Sequence, residues 1–167
     1  MDEKEWLIDL WKKGLLCDKY KEMVCKASSK RQLMDLLLDA NGISFLQEMQ
    51  AQGHCLPYEV LIDKFRPYIN GRYVYSSQQD GNGYTSVIYC CCDKKNVIVN
   101  STNVCILGCN ETVFEIQDFS VTHLFIDKNS SITIHCPTHA KCYVDLWYGG
   151  KINEECIYKD NIIINRR

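Results

Sequence analysis

The chain has 167 residues, 46% of them hydrophobic, with 19 basic and 21 acidic side chains for a formal net charge of −2. That length and apolar content predict one folded domain, or a domain with a small appendage, and argue against global disorder. Basic residues are scattered, with no dense patch beyond Lys12-Lys13 and Lys30-Arg31, so the footprint needed to grip a phosphate backbone is missing and nucleic acid is not an expected partner.

The chain opens with "MDEKEWLIDLWKK", acidic at the start and interrupted by charges. This lacks the basic start and unbroken apolar run of a signal peptide, and no stretch approaches the ~20 apolar residues of a membrane span. The expectation is a cytoplasmic protein with no membrane partner. Trp6, Leu7, Leu10 and Trp11 recur at helical spacing, with Gly14 as punctuation. Trp6 and Trp11 are five residues apart, so they flank a broad apolar face on the helical wheel. They are the candidate partner-binding residues, for a second copy or another protein, with packing on neighbouring helices as the alternative.

A second helical segment places Leu16, Tyr20, Met23 and Val24 on one side. Ser29 followed by Gln32 reads as a capping box that opens a third helix with the stripe Leu33, Leu36, Leu37 and Ala40. Asn41-Gly42 is the expected stop. Ser44 and Gln47 repeat the capping pattern before "FLQEMQAQG", and Pro57 suits the first turn of "PYEVLIDKF". Residues 1–70 are therefore expected to form a short helical bundle, as a helical domain or as a cap on one end of the remaining chain.

Residues 71–167 change character. "GRYVYS", "YTSVIYCC", "NVIVNS", "NVCILG", "ETVFEI", "VTHLFI", "SITIHC", "KCYVDLWY" and "NIIIN" read as short strands between Asn-, Asp- and Gly-rich turns. "QQDGNG" reads as a hairpin turn between the first two. The fold class is α+β, with an all-β body after the helices. Very short strands, Asn-rich corners and a lack of long loops favour a β-solenoid, and an antiparallel sandwich or barrel is the alternative. Alternation assigns Ile98, Val104, Ile106, Phe114, Ile116, Phe125, Ile132, Ile134, Val144 and Ile163 to the interior.

"HCPTHAKC", residues 135–142, carries the densest chemistry. Cys136, His139 and Cys142 would give zinc three ligands, with Cys109, His123 or Cys156 as a fourth. The flanking strands point His135 and Cys136 to opposite faces, and there is no second Cys-x2-Cys half. A strand-turn-strand is the preferred reading, so neither a metal nor another cofactor is expected. The chain has 11 cysteines, an odd number for a disulfide framework, and most are expected to be reduced and buried. His54-Cys55 is not a convincing nucleophile and base, and no Gly-x-Ser-x-Gly, His-Glu-x-x-His or P-loop pattern occurs. No catalytic residue is assigned, and the protein is not expected to be an enzyme. Tyr73, Tyr75, Tyr84, Trp147 and Tyr148 are weaker candidates for a ligand site, for example for a glycan, and the alternative is that such aromatics fill the seam between the two halves.

The segments "NGISFLQEMQAQG", "LPYEVLIDKFRPYINGRYV", "GYTSVIYCC" and "VCILGCN" resemble a group of uncharacterised proteins of phages and prophages of Bacteroides-type gut bacteria. The resemblance covers about half the chain, and it implies a phage or prophage setting without implying an activity. The expected function is a non-enzymatic structural or protein-interaction module, in the bacterial host's cytoplasm or in a virion. Its partners would be a second copy or a phage or host protein. The alternatives are a glycan- or small-ligand-binding module, a zinc- or cysteine-dependent enzyme, and a host-factor inhibitor.

Overall fold

The computed structural model describes residues 3–69, 72–76, 85–153 and 160–166. Four helices come first: α1 (Glu3–Lys12), α2 (Asp18–Lys26), α3 (Lys30–Leu37) and α4 (Ala40–Ala51). A last helix runs from Tyr58–Val60 through a π-helical stretch, Leu61–Phe65, to Arg66–Ile69. Ser29 caps α3 by accepting from the Gln32 N–H at 3.2 Å. The Gln32 side chain reaches back to the N–H of Ser28 at 2.9 Å, one residue earlier than a capping box requires.

The expected stop at Asn41-Gly42 does not occur, because both residues lie in the first turn of α4. Asp39, in extended backbone, accepts from the Gly42 N–H at 2.6 Å and starts the helix anew. Ser44 and Gln47 consequently sit inside α4 and not at a helix start. Gly42 is a glycine for a steric reason: a Cβ there would stand 2.1 Å from the carbonyl oxygen of Leu36. Its absence lets the start of α4 abut the end of α3. Leu7, Val24, Met34, Leu37, Ile43, Leu46, Leu61 and Phe65 fill the interior of this helical layer.

The β-body is a parallel solenoid. Its strands are β1 (Arg72–Ser76), β2 (Thr85–Cys90), β3 (Asn96–Val99), β4 (Asn103–Leu107), β5 (Asn110–Ile116), β6 (Val121–Ile126), β7 (Ser131–His135), β8 (Lys141–Leu146), β9 (Lys151–Ile152) and β10 (Ile162–Arg166). They form two sheets, β1-β2-β4-β6-β8-β10 and β3-β5-β7-β9. The pairs β2–β3, β4–β5, β6–β7 and β8–β9 are four successive rungs, and β10 begins a fifth. Every ladder is parallel except β1–β2, which is antiparallel. The expected "QQDGNG" turn between those two strands lies outside the described residues.

Leu124 pairs with Val144 and Val144 with Ile164, a repeat of 20 residues. Val87 pairs with Val104, a repeat of 17. This register stacks Val87, Val104, Leu124 and Val144 in one inward column and Phe114 and Ile134 in another, all fully buried. Each contributes about 1.5–3 kcal/mol by leaving water.

Three assignments to the interior are corrected. Ile98 is 70% exposed and Ile163 is 45% exposed, while Phe125 is only half-buried and faces outward. Side chains alternate strictly along a strand, so Val97 and Val99 inside force Ile98 out. Ile162 packs inward next to exposed Ile163, and Leu124 and Ile126 inside force Phe125 out.

Among the described residues the helices do not close an end of the solenoid. They lie against the outer face of the larger sheet, over Ile88 and Cys90 of β2 and Cys105 and Leu107 of β4. The cause is local: β2 and β4 are apolar on both faces, so their outer side needs cover as much as their inner side. The edge of β2 is taken by β1.

Candidate interaction surface

The helical layer covers the outer face of the larger sheet on the first two rungs, and the face continues onto β6, β8 and β10. Register places Asn103, His123 and Tyr143 in one outward column, with Ile163 next. His123 and Tyr143 stack with ring centroids 4.8 Å apart and planes 20° from parallel. Ile163 continues the column, and Val121, 53% exposed, flanks it on β6. The neighbouring outward column holds Phe125, Asp145 and Asn165, with Asn165 donating to Asp145 at 3.1 Å. A rigid sheet face that carries apolar and aromatic side chains in register can bind another surface with little loss of side-chain freedom.

At the corner after β5, Phe119 is 81% exposed and stacks on His139, one rung further on, at 4.8 Å and 9°. The Asp118 carboxylate accepts from the Phe119 N–H at 3.1 Å, and its other oxygen lies 3.3 Å from His139 Nδ1.

His139 is thus on the surface, whereas Cys136 and Cys142 are buried in the solenoid interior. The three do not converge, and among the described residues no group of three His, Cys, Asp or Glu side chains is placed to hold a metal ion. His135 is half-buried beside buried Cys136, as strand alternation requires. Burial pushes the thiols of Cys55, Cys105, Cys109, Cys136 and Cys142 upward, and a protonated thiol is a poor nucleophile and metal ligand. Cys90 and Cys91 differ from these, with sulfurs 3.9 Å apart. The hydrogen bond from Cys90 draws Cys91 below the ordinary thiol value, helped by the Arg66 guanidinium, while Cys90 is raised.

From the sequence, Asp127 is an unremarkable turn acid. In the fold it is 1% exposed, at the corner between β6 and β7. Its carboxylate accepts from the Gly108 N–H at 2.9 Å, from Asn129 Nδ2 at 3.0 Å and from the Ser130 hydroxyl. Asn129 Nδ2 also reaches the carbonyl of Leu56 at 3.1 Å, which ties this corner to the helical layer. Burial raises the Asp127 carboxyl, and these donors offset only part of the rise. The network is a structural clamp between two rungs and the helices.

Trp6 and Trp11 belong to α1, and Tyr73 and Tyr75 to β1, but their side chains lie outside the described residues, as does Tyr84 entirely. Trp147 is no exposed ligand platform: it is 2% exposed and packs against Phe125 with ring centroids 5.5 Å apart. Tyr148 is exposed with its ring over Gly53, where a Cβ would stand 3.1 Å from it. Among the described residues no helix is long and apolar enough to cross a membrane.

These features define a parallel β-solenoid with a helical layer on its flank and an uncovered, partly aromatic outer face. No family model matches the chain, and neither a curated protein nor a solved structure does.

Proposed function

We propose that the protein is a non-enzymatic structural or protein-interaction module whose uncovered solenoid face binds protein, in the first place a second copy of the chain. The supporting observation is the continuity of one sheet face. Its first two rungs already hold a packed protein layer, and the next rungs present Val121, the His123–Tyr143 stack and Ile163 on the same plane. Closed symmetric pairing would remove that apolar surface from water. A phage or prophage component is the setting we propose, on the resemblance of the segments within residues 41–110.

Light scattering on the eluting protein tests the reading. The expected result is a closed oligomer, and the double substitution Val121→Glu, Tyr143→Glu is expected to yield a folded monomer, since both positions face outward. An intact protein that stays monomeric at millimolar concentration overturns self-association through this face.

A further inference from the structure

We propose that the corner at Phe119 is a carbohydrate subsite that takes the apolar face of a neutral pyranose ring. The first observation is a difference in rung length. Ile98 pairs with Glu115 and Asn103 with His123, so the first corner takes four residues (99–102) where the second takes seven (116–122). The third corner, between His135 and Tyr143, again takes seven (136–142). The first rung is therefore too short at this corner to stand over Phe119. The ring rests on His139 on one side, and its other face is open, which accounts for its 81% exposure.

The second observation is that this exposure is held in place. Phe119 has φ +59°, a left-handed backbone that bulky side chains avoid. Asp118 fixes the turn through the Phe119 N–H, and Ser120 donates to the carbonyl of Gln117. An aromatic this exposed gains little from burial beyond its stack on His139, and strain of this kind points to a binding role.

The surroundings select the ligand. Both Asp118 oxygens are already engaged, by the Phe119 amide and by His139. The shorter corner sets exposed Asn100 and half-buried Thr102 back as a neutral polar step. An aromatic face carries negative charge density and attracts weakly positive C–H groups. A pyranose offers such C–H groups on one face and hydroxyls at its rim, which suits an aromatic floor beside amide and hydroxyl groups. A nucleotide would bring its phosphate to a carboxylate.

Saturation-transfer NMR with cellotetraose, chitotetraose and β-1,4-galactotetraose, and with uridine monophosphate and argininamide as contrasts, tests the proposal. At least one tetrasaccharide is expected to receive saturation on ring C–H protons. Phe119→Ala is expected to weaken its binding at least tenfold, and Phe119→Trp to retain it. Phe119→Gly relieves the left-handed backbone, so it should keep or raise the melting temperature while losing the sugar, which separates binding from folding. The proposal is overturned if no tetrasaccharide binds, if binding is indifferent to Phe119→Gly, or if only a contrast ligand binds through Phe119. It does not rest on self-association, which is read separately with the Val121 and Tyr143 substitutions.

Discussion

Asp127 shows how a single side chain joins three parts of the molecule, and its titration gives a signed test. Its carboxyl is raised above the ordinary value of 3.8 because burial outweighs the donors around it. Below that value the group is protonated both folded and unfolded, and the full stability is present. As pH rises through the folded-state value, the buried anion costs stability that the unfolded chain does not lose. Asp127→Asn cannot ionise, so the stability of the wild type relative to this variant should fall as pH rises above about 4. Urea unfolding of both proteins across pH 4–7 measures the difference, and parallel curves would show that another group titrates. Asp127→Ala leaves the Gly108 N–H without its acceptor and should cost roughly 1–3 kcal/mol at any pH in that range.

At the scale of single elements, period-two patterning made most strands legible: every strand except β9 falls on an apolar run recognisable in the chain, and β9, Lys151–Ile152, is too short to show one. The parity within a run of three apolar residues was hard to read. In "NVIV" and "IIIN" the only polar markers are the terminal Asn96 and Asn165, which share the exposed parity of Ile98 and Ile163, and pairing with the neighbouring rung fixes it. The contrast is testable. Ile134→Asp should unfold the domain, because an unpaired charge would be buried in a filled column, whereas Ile98→Asp should change stability by no more than about 0.5 kcal/mol. Equal effects in thermal melts would contradict the register. Among the helices, Asn41-Gly42 resembled a stop because glycine is common there, but its cause was the close approach of α3 and α4. An alanine inside a helix normally gains about 1 kcal/mol over glycine. Here the Cβ meets backbone, and overpacking that α3 cannot relieve should make Gly42→Ala a net loss of about 1–3 kcal/mol. A gain in melting temperature would disprove the contact.

At the scale of the whole molecule, the solenoid was legible from the rhythm of short strands, but the position of the helices was not read from it. The sign was present in "VIYCC" and "VCIL", unbroken apolar runs that need cover on both faces, beside "ITIH", which alternates. The Phe119 corner escaped sequence reasoning for a related reason: its exposure depends on a neighbouring rung being shorter, a property of register. Trp147, a strand-end aromatic that could have been exposed or packed, is packed, with Phe125 beside it. The same two-faced strands supply the last prediction. Residues 71–167 produced without the helical layer would expose Ile88, Cys90, Cys105 and Leu107 as one contiguous apolar patch, which a monomer does not keep in water. That fragment should retain β-type circular dichroism yet self-associate, and Ile88→Thr with Leu107→Thr should return it toward a monomer while leaving the inward columns intact. A fragment that is monomeric without those substitutions would mean that the helices are not needed to cover the face, and that burial of those four side chains contributes little to holding the two layers together.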